Sequence, residues 1–432
     1  MKRACVCFFL MLSLSGCGLS FEAPSDLIKT PIISEQDYKN MEVIRSFLND
    51  DEKIEMPQEM KDPTSNVDID IDGDGKNEKI VFFVKKNGYQ TGINLLSENA
   101  DGKWSLVYQD KQVGRSIKYF DLYDINGDGA LEILLGVNVG GYYNLYIYGV
   151  SQDRLQVIDQ IKYSKIKILK QGNKGSHIIT SLNNKATDEL TTELNVYEWK
   201  KGKMQNIFSR TYDGFTQQIE VGKVSKDKQG IYLGLSSDFD SVEYVLLLNN
   251  GSTYEEKAHL ESQYALSFSE KANGFIGDVL GNGELAILSV VPPLDTTKRQ
   301  VQDFLQVWKV WDENQGFKNY CAFLENTSDG YKLKLPVNWL KNLSYQYSSD
   351  RGISQISFYD KSKAVSTQPV FVIQTIENFS LSHSSAIDGL KVLGASTSNS
   401  RVYVARFYQS DFSGEKIDEE TLKKLLTIEG GK

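Results

Sequence analysis

The chain carries one nine-residue pattern twice, as Asp70-Ile71-Asp72-Gly73-Asp74-Gly75-Lys76-Asn77-Glu78 and as Asp124-Ile125-Asn126-Gly127-Asp128-Gly129-Ala130-Leu131-Glu132. Both copies place oxygen-bearing side chains at positions 1, 3, 5 and 9 and a glycine at position 6. A hard cation needs several oxygens that converge from a tightly turned backbone, with a main-chain carbonyl at position 7. The pattern therefore predicts Ca²⁺ bound by two sets of ligands: Asp70, Asp72, Asp74, Glu78 and the carbonyl of Lys76, and Asp124, Asn126, Asp128, Glu132 and the carbonyl of Ala130.

The residues that follow each loop distinguish it from an EF-hand. An EF-hand closes with a bidentate glutamate at position 12 and leads into a helix. Here position 12 is Val81 in the first copy and Leu135 in the second, within apolar runs that are typical of strands. The alternative is an Asp-Gly turn that binds no metal. Two copies with matching carboxylates favour a metal, because crowded like charges are costly without a counter-ion.

A third segment, at residues 278–286, follows the same pattern with fewer ligands. It keeps Asp278 at position 1 and Asn282 at position 5, but Leu280 and Ala286 replace the oxygens at positions 3 and 9. Too few oxygens remain for tight Ca²⁺ binding. We therefore expect this loop to be retained for its turn geometry.

An alternating strand, a short polar turn and a second strand recur along the chain at a similar interval. The first strands of these pairs lie at residues 93–96, 145–148, 194–199, 244–247 and 304–308. A period of about 40 to 50 residues with four strands per unit is typical of propeller blades. The chain is therefore predicted to be mainly β, with a β-propeller of about five four-stranded blades at residues 62–320. A β-sandwich with coincidental strand spacing is the alternative.

The acidic loop that runs directly into an apolar strand resembles the FG-GAP/VCBS repeat of integrin-type β-propellers. The resemblance is carried by the loops that begin at Asp70 and Asp124. In that family the loop holds Ca²⁺ near the start of a blade, and the propeller usually serves as a binding platform. The resemblance therefore implies a Ca²⁺-stabilised binding module.

Residues 1–16 have the organisation of an export signal. Lys2 and Arg3 precede an apolar run that is too short to remain as a membrane span. The sequence Leu14-Ser15-Gly16-Cys17 resembles a bacterial lipobox, which implies cleavage before Cys17 and acylation of that residue by diacylglyceryl and N-acyl chains. Two acyl chains give stable anchoring, so the resemblance implies a lipoprotein that faces the extracytoplasmic side of the bacterial cell membrane. A plain secretory signal with a chance cysteine is the alternative.

The region at residues 17–61 is predicted to be a lipid-anchored tether that ends in a helix. Residues 35–48 have an apolar face at helical spacing, and Ser34 is placed to cap them. We expect this helix to pack on the rim of the propeller.

The region at residues 326–432 is predicted to be a small α+β domain, because strands are followed by a last helix. That helix places Leu422, Leu425 and Leu426 on one face. The opening strand leads into Pro336 and Trp339, which loosely resembles the start of Mog1/PsbP-like domains. No site residue follows from that resemblance.

Composition argues against two other classes of function. The three histidines stand alone, which leaves little for zinc chemistry or a His-based triad. The net charge of −9 disfavours nucleic acid as a partner. Carboxylate-only catalysis needs two facing acids, and the best acidic cluster outside the loops is formed by Asp238, Asp240 and Glu243, which a solvated hairpin loop explains as well.

These observations predict a non-enzymatic surface lipoprotein whose propeller binds an envelope protein or a polysaccharide. The alternative is a carboxylate-dependent enzyme that processes cell wall or polysaccharide, with the propeller as its scaffold. A third hypothesis is a passive assembly factor in which the metal is purely structural.

Overall fold

In the computed structural model the chain consists mainly of antiparallel β-strands, which form where apolar and polar residues alternate. This confirms the prediction of a mainly β chain. The structure describes residues 35–151, 154–172, 175–186, 189–271, 274–350, 353–363, 368–377, 389–396, 398 and 400–430. The predicted signal peptide, the tether up to residue 34, the acylated Cys17 and the capping Ser34 lie outside these residues.

Two α-helices occur in the described part of the chain, α1 (Glu35–Ser46) and α2 (Glu419–Leu425). Neither helix has the length and apolar character that a membrane crossing requires. Four short 3-10 helices are found at Ala265–Phe268, Thr296–Lys298, Val301–Asp303 and Val337–Trp339. The helix predicted at residues 35–48 is therefore present as α1, two residues shorter at its C-terminal end.

The described strands form six sheets, numbered I to VI in chain order, and one short hairpin. Sheet I contains β1 (Glu52–Ile54), β2 (Asn66–Ile69), β3 (Glu78–Lys85), β4 (Gln90–Glu98) and β5 (Trp104–Val113). Sheet II contains β6 (Ser116–Tyr123), β7 (Glu132–Asn138), β8 (Tyr143–Ser151) and β9 (Arg154–Tyr163). Sheet III contains β10 (Lys165–Lys170), β11 (Ser176–Ala186), β12 (Glu189–Lys200) and β13 (Lys203–Asp213).

Sheet IV contains β14 (Phe215–Ser225), β15 (Lys228–Ser236), β16 (Ser241–Asn249) and β17 (Tyr254–Gln263). Sheet V contains β18 (Ile276–Gly277), β19 (Ala286–Val291), β20 (Leu305–Asp312), β21 (Gly316–Asn326), β22 (Tyr331–Leu335) and β30 (Leu426–Ile428). Sheet VI contains β23 (Leu343–Asp350), β24 (Ile353–Asp360), β25 (Phe371–Glu377), β26 (Lys391–Ser396) and β27 (Arg401–Phe407), and the hairpin pairs β28 (Asp411–Phe412) with β29 (Glu415–Lys416).

Sheets II, III and IV are four-stranded antiparallel meanders, in which each strand pairs with the next one along the chain. Sheet I follows the same plan, except that β1 and β2 share the first position and both pair with β3. One irregularity recurs in the pairing of the third and fourth strands of sheets I to V, where the register shifts between Leu95 and Leu96, Ile147 and Tyr148, Val196 and Tyr197, Leu246 and Leu247, and Trp308 and Lys309. A bulge at the same place in five sheets marks them as copies of one structural unit.

The hydrophobic core is a succession of layers, each formed between one sheet and the next. Side chains on a strand point alternately to its two faces, so the second strand of each of sheets I to IV contributes to two layers. In β3, Val81 packs towards α1 while Phe82 packs against sheet II. In β7, Leu135 belongs to the layer shared with sheet I, and Leu134 to the layer shared with sheet III.

The two ends of this succession are covered by other elements. Ile44 of α1 packs with Val81 and Leu96 on the outer face of sheet I. At the other end, a layer that contains Leu324 and Phe358 joins sheet V to sheet VI. Within the described residues, no core cluster joins sheet I to sheet V or VI, so the blade number and the closure of the predicted propeller stay predictions.

Sheet V crosses the boundary predicted between the propeller and the C-terminal region. Strand β22 pairs with β21, and β30 returns from the end of the chain to pair with β22, with Leu426 opposite Leu333. The predicted last helix therefore ends at Leu425, and Leu426 is in a strand. Pairing with an open sheet edge outweighs the helical pattern at this position because it satisfies backbone groups that the edge exposes.

Candidate metal centres

The first loop lies between β2 and β3 and is folded around its own aspartates. The Asp70 carboxylate accepts hydrogen bonds from the backbone N–H groups of Gly73 (2.8 Å) and Gly75 (3.0 Å). Both glycines have positive φ, 79° and 86°, which other residues rarely adopt. The turn therefore depends on glycine at positions 4 and 6, of which the sequence analysis used only the second.

The side chains at positions 3 and 5 are held by the same kind of bond. Asp72 accepts from the backbone N–H of Asp74 (3.1 Å), and Asp74 accepts from that of Lys76 (2.8 Å). In each case one carboxylate oxygen is used by the turn, and the other oxygen makes no hydrogen bond within the described residues.

Three carboxylates of this loop converge on one region. Ligand oxygens of Asp70, Asp72 and Glu78 all lie within 4.8 Å of one another. Glu78 is buried, and its carboxylate accepts a hydrogen bond from the backbone N–H of Ile71 (3.2 Å). Burial raises the pKa of Glu78, and the negative charges of Asp72 and Asp74 raise it further. This oxygen-only donor set fits a hard cation, which would relieve the repulsion.

The second loop, between β6 and β7, has the same construction. Asp124 accepts from the backbone N–H groups of Gly127 (2.6 Å) and Gly129 (3.1 Å). Glu132 is buried and accepts from the backbone N–H of Ile125 (2.8 Å). Burial, together with the charges of Asp128 and Asp124, raises the pKa of Glu132 to about 7.

The asparagine at position 3 makes the two loops chemically different. The Asn126 side-chain amide donates to Asp128 (2.9 Å) and to Glu132 (2.8 Å), while its oxygen accepts from the backbone N–H of Asp128 (2.8 Å). Two carboxylates thus converge on an N–H group in the place where a cation would lie. Binding of Ca²⁺ here would require the amide to turn its oxygen inwards, so this donor set fits Ca²⁺ less closely than the carboxylates of the first loop.

At position 7, Ala130 donates its N–H to Asp128 (2.8 Å), as Lys76 does to Asp74 in the first loop. The residues predicted to supply carbonyl ligands therefore occupy equivalent places in two equivalent turns. Each loop is a separate local site, because these hydrogen bonds all lie within one nine-residue segment.

The third segment keeps the turn without the converging acids. Asp278 accepts from the backbone N–H groups of Asn282 (3.1 Å) and Gly283 (2.7 Å), at positions 5 and 6, whereas position 1 accepts from positions 4 and 6 in the other two loops. Leu280 and Ala286 have no oxygen in their side chains. Leu280 is exposed, and Ala286 is buried in the core. The turn geometry thus persists in a loop whose residues at positions 3 and 9 are apolar.

The structure also reveals an anchor that the sequence analysis missed. The apolar residue at position 2 of each loop packs between neighbouring sheets: Ile71 between sheets I and II, Ile125 between II and III, and Val279 at the edge of the layer between IV and V. The signal was present in the sequence, since all three loops have a β-branched apolar residue at this position.

The second loop has a further contact with the next sheet. The backbone N–H of Ser176, at the start of β11, donates to the carbonyl of Ile125 (3.1 Å), and the Ser176 hydroxyl donates to the carbonyl of Asp124 (3.3 Å). This loop therefore joins sheets II and III.

The other acidic cluster is divided between separate partners. Asp238 accepts from the backbone N–H groups of Asp240 (2.9 Å) and Ser241 (2.7 Å), which close the loop between β15 and β16. These backbone hydrogen bonds lower the pKa of Asp238. Glu243 lines the same cavity as Asp238 and forms an ion pair with His259 (2.7 Å). The contacts of Asp238 are those of a capped hairpin turn.

Comparison with known proteins adds little. No protein-family model and no curated protein matches the chain. Among solved structures, the exotype rhamnogalacturonan lyase YesX is similar at 13% identity over 82% of this chain and 74% of that chain, with a TM-score of 0.27. Sqt1 from Chaetomium thermophilum is similar at 14% identity over 78% of this chain and 85% of that chain, with a TM-score of 0.31. Likenesses at these scores carry no argument here.

Proposed function

We propose that the chain is a membrane-anchored surface lipoprotein whose Ca²⁺-stabilised β-propeller, of the FG-GAP/VCBS type, binds an envelope protein or a polysaccharide. The observation that carries this proposal is the pair of loops that begin at Asp70 and Asp124. Each opens the second strand of a repeated sheet. Oxygens of Asp70, Asp72 and Glu78 lie within 4.8 Å of one another in the first loop, and Asp128 and Glu132 both accept from the Asn126 amide in the second.

The repeated bulge in sheets I to V supports a propeller of about five blades. Independent strands of a sandwich have no reason to share a register shift at the same place, whereas copies of one blade do. The meander order within each sheet and the apolar layers between successive sheets are also the arrangement of propeller blades.

A metal in these loops would act mainly on stability. Asp70, Asp72, Asp74, Glu78 and the Lys76 carbonyl would hold it in the first loop, and the equivalent ligands within residues 124–132 would hold it in the second. Ca²⁺ would supply the positive charge that the crowded carboxylates lack. Because Ile71 and Ile125 pack between sheets, ordering of each loop would also order the contact between two blades.

The membrane part of the proposal depends on the lipobox-like sequence that ends at Cys17. Two acyl chains would hold the protein at the bilayer. Residues 17–34 would then separate the described domain from the membrane surface, which leaves the sheets accessible to an envelope partner.

Thermal unfolding of the full chain, kept soluble in detergent, tests the metal. The protein is melted in EDTA and in excess Ca²⁺, together with Asp72→Ala and Asp124→Ala. Asp278→Ala is the matched control, because it removes a position-1 carboxylate and its two turn bonds from a loop that lacks side-chain oxygens at positions 3 and 9. We expect a Ca²⁺-dependent rise in Tm that shrinks in the first two variants and persists in the control. A Tm that is the same in Ca²⁺ and in EDTA would show that the loops are turns that bind no Ca²⁺.

A further inference from the structure

A cavity of about 670 Å³ opens where the first strands of sheets II, III and IV come together. Strands β6, β10 and β14 form its walls, with the segment at residues 59–61 along one side. That segment is fixed on β6, because Glu59 donates its N–H to the carbonyl of Lys118 (2.7 Å) and accepts from the N–H of Phe120 (3.1 Å). The cavity has the volume of a small-molecule site, which is typically about 300–1,000 Å³.

Most charges on the cavity walls are neutralised by one another. Lys118 forms an ion pair with Glu59 (2.9 Å), and Lys167 forms one with Glu220 (2.9 Å). The remaining carboxylate, Asp121, accepts hydrogen bonds from the N–H of Leu122 (2.8 Å) and, at 3.4 Å, from the hydroxyl of Tyr119.

Two lysines of the cavity, Lys61 and Lys165, make no ion pair or hydrogen bond with a described residue. Lys165 begins β10, two residues before the paired Lys167, and lines the same cavity as Lys118. Its side chain lies exposed on the cavity wall. Partial desolvation lowers the pKa of Lys165, and the charges of Lys118 and Lys167 lower it further, against the opposing effect of Glu59. The cavity lining carries four lysines and three carboxylates, so an anionic ligand would offset its excess of positive charge.

The other walls are suited to a sugar ring. Tyr119, Tyr123 and Tyr143 line the cavity, and tyrosine offers an apolar face together with a hydroxyl that can donate and accept. Tyr143 is held in place by packing on Tyr163, with ring centroids 5.4 Å apart. A concave site of this size fits a few sugar residues better than the broad surface, usually above about 1,000 Å², that a protein partner needs.

We propose that this cavity binds an oligosaccharide that carries carboxylate groups, and that the Lys165 ammonium binds one of those carboxylates. The proposal rests on the binding-module function above and names the ligand class of that module. It assigns Lys165 a binding role that does not involve the metal loops.

Calorimetric titration of the full chain with trigalacturonate tests the assignment, with neutral maltotriose as the paired ligand. We expect binding of trigalacturonate, little binding of maltotriose, and a loss of at least about tenfold in affinity in Lys165→Met, the size expected for a lost hydrogen bond to a charged group. Lys165→Arg keeps the charge and should retain most of the affinity. Lys103→Met removes an exposed lysine outside the cavity and should have no effect.

Several results would overturn the proposal. These are no binding of trigalacturonate at millimolar concentration, equal binding of maltotriose, or unchanged binding in Lys165→Met. Equal, Lys165-dependent binding of an acidic peptide of the same charge would assign the site to protein instead. The thermal melts in Ca²⁺ test the metal independently of the ligand. A Ca²⁺-dependent Tm without binding of trigalacturonate refutes only the ligand class. Binding of trigalacturonate with a Tm that does not depend on Ca²⁺ refutes only the metal.

Discussion

The buried carboxylate of Glu132 accepts a hydrogen bond of 2.8 Å from the backbone N–H of Ile125, whose side chain packs between sheets II and III. The same relationship joins Glu78 to Ile71 at 3.2 Å in the preceding sheet. The last predicted ligand of each loop is thus bonded to the residue that fills the core between two sheets. Metal binding and the packing of neighbouring sheets are therefore expected to be coupled.

Removal of charge at position 9 should abolish the effect of the metal in the second loop. Glu132→Gln keeps an oxygen that can accept from Ile125, so we expect the variant to fold. It should lose that loop's share of the stabilisation by Ca²⁺, about 2.7 kcal/mol when free Ca²⁺ is about 100 times Kd. Urea unfolding in Ca²⁺ and in EDTA measures this difference. If the Glu132→Gln variant kept the full wild-type gain in Ca²⁺, Glu132 would be excluded as a ligand.

Truncation of the core anchor should weaken both stability and metal binding. Ile125 is 1% exposed, and Ile125→Ala should cost about 2–5 kcal/mol of unfolding free energy because it leaves a cavity. Leu131→Ala, at a position 39% exposed in the same loop, is the control and should cost far less. Chemical unfolding gives the first quantity and Ca²⁺ titration the second. An affinity for Ca²⁺ that is the same in both variants would show that the loop and the core are independent.

Stability should depend on pH through His259, which lies between Glu243 (2.7 Å) and Glu256 (2.8 Å). Burial lowers the pKa of His259, but the hydrogen bonds with the two glutamates outweigh it and the net pKa is raised. A raised pKa means that the folded state binds the proton more tightly, so the contribution is complete below the unfolded value of about 6.5 and is lost as the pH rises through the folded value.

His259→Gln should therefore lower Tm more at about pH 5.5 than at about pH 8.5. Paired thermal melts of the wild type and the variant at the two pH values measure this difference. The effect should be small, since the ion pairs are partly exposed and screened by solvent. A larger loss of Tm at the higher pH would contradict the assignment.

If the proposed lipidation holds, membrane association should depend on Cys17 and not on Cys321. In cells, Cys17→Ser should then move the protein out of the membrane fraction and abolish incorporation of labelled fatty acid, because the proposed acyl chains would supply the anchor. Cys321→Ser changes a thiol buried in sheet V and should leave both properties intact. Membrane association that survives Cys17→Ser would favour a plain secretory signal followed by another mode of attachment.

Local chemistry accounts for the features that could be predicted from the residues. The positive φ values at Gly75 and Gly129 follow from the short-range pattern, as does the strand after each loop. The helix α1 (Glu35–Ser46) and the mainly β class follow in the same way, since side-chain periodicity reports directly on local backbone geometry. These properties need no knowledge of distant residues.

Contacts between distant segments explain the features that could not be predicted from the sequence. Nothing near Leu426 indicates that it pairs with Leu333, because an open strand edge is created far away in the chain. The presence of Lys118 and Lys165 in one cavity, and the burial that raises the pKa of Glu132 to about 7, likewise arise when separate sheets pack together. The amino-acid pattern specified which oxygens each loop offers, whereas the packing of sheets set the desolvation and the charged neighbours that govern their chemistry.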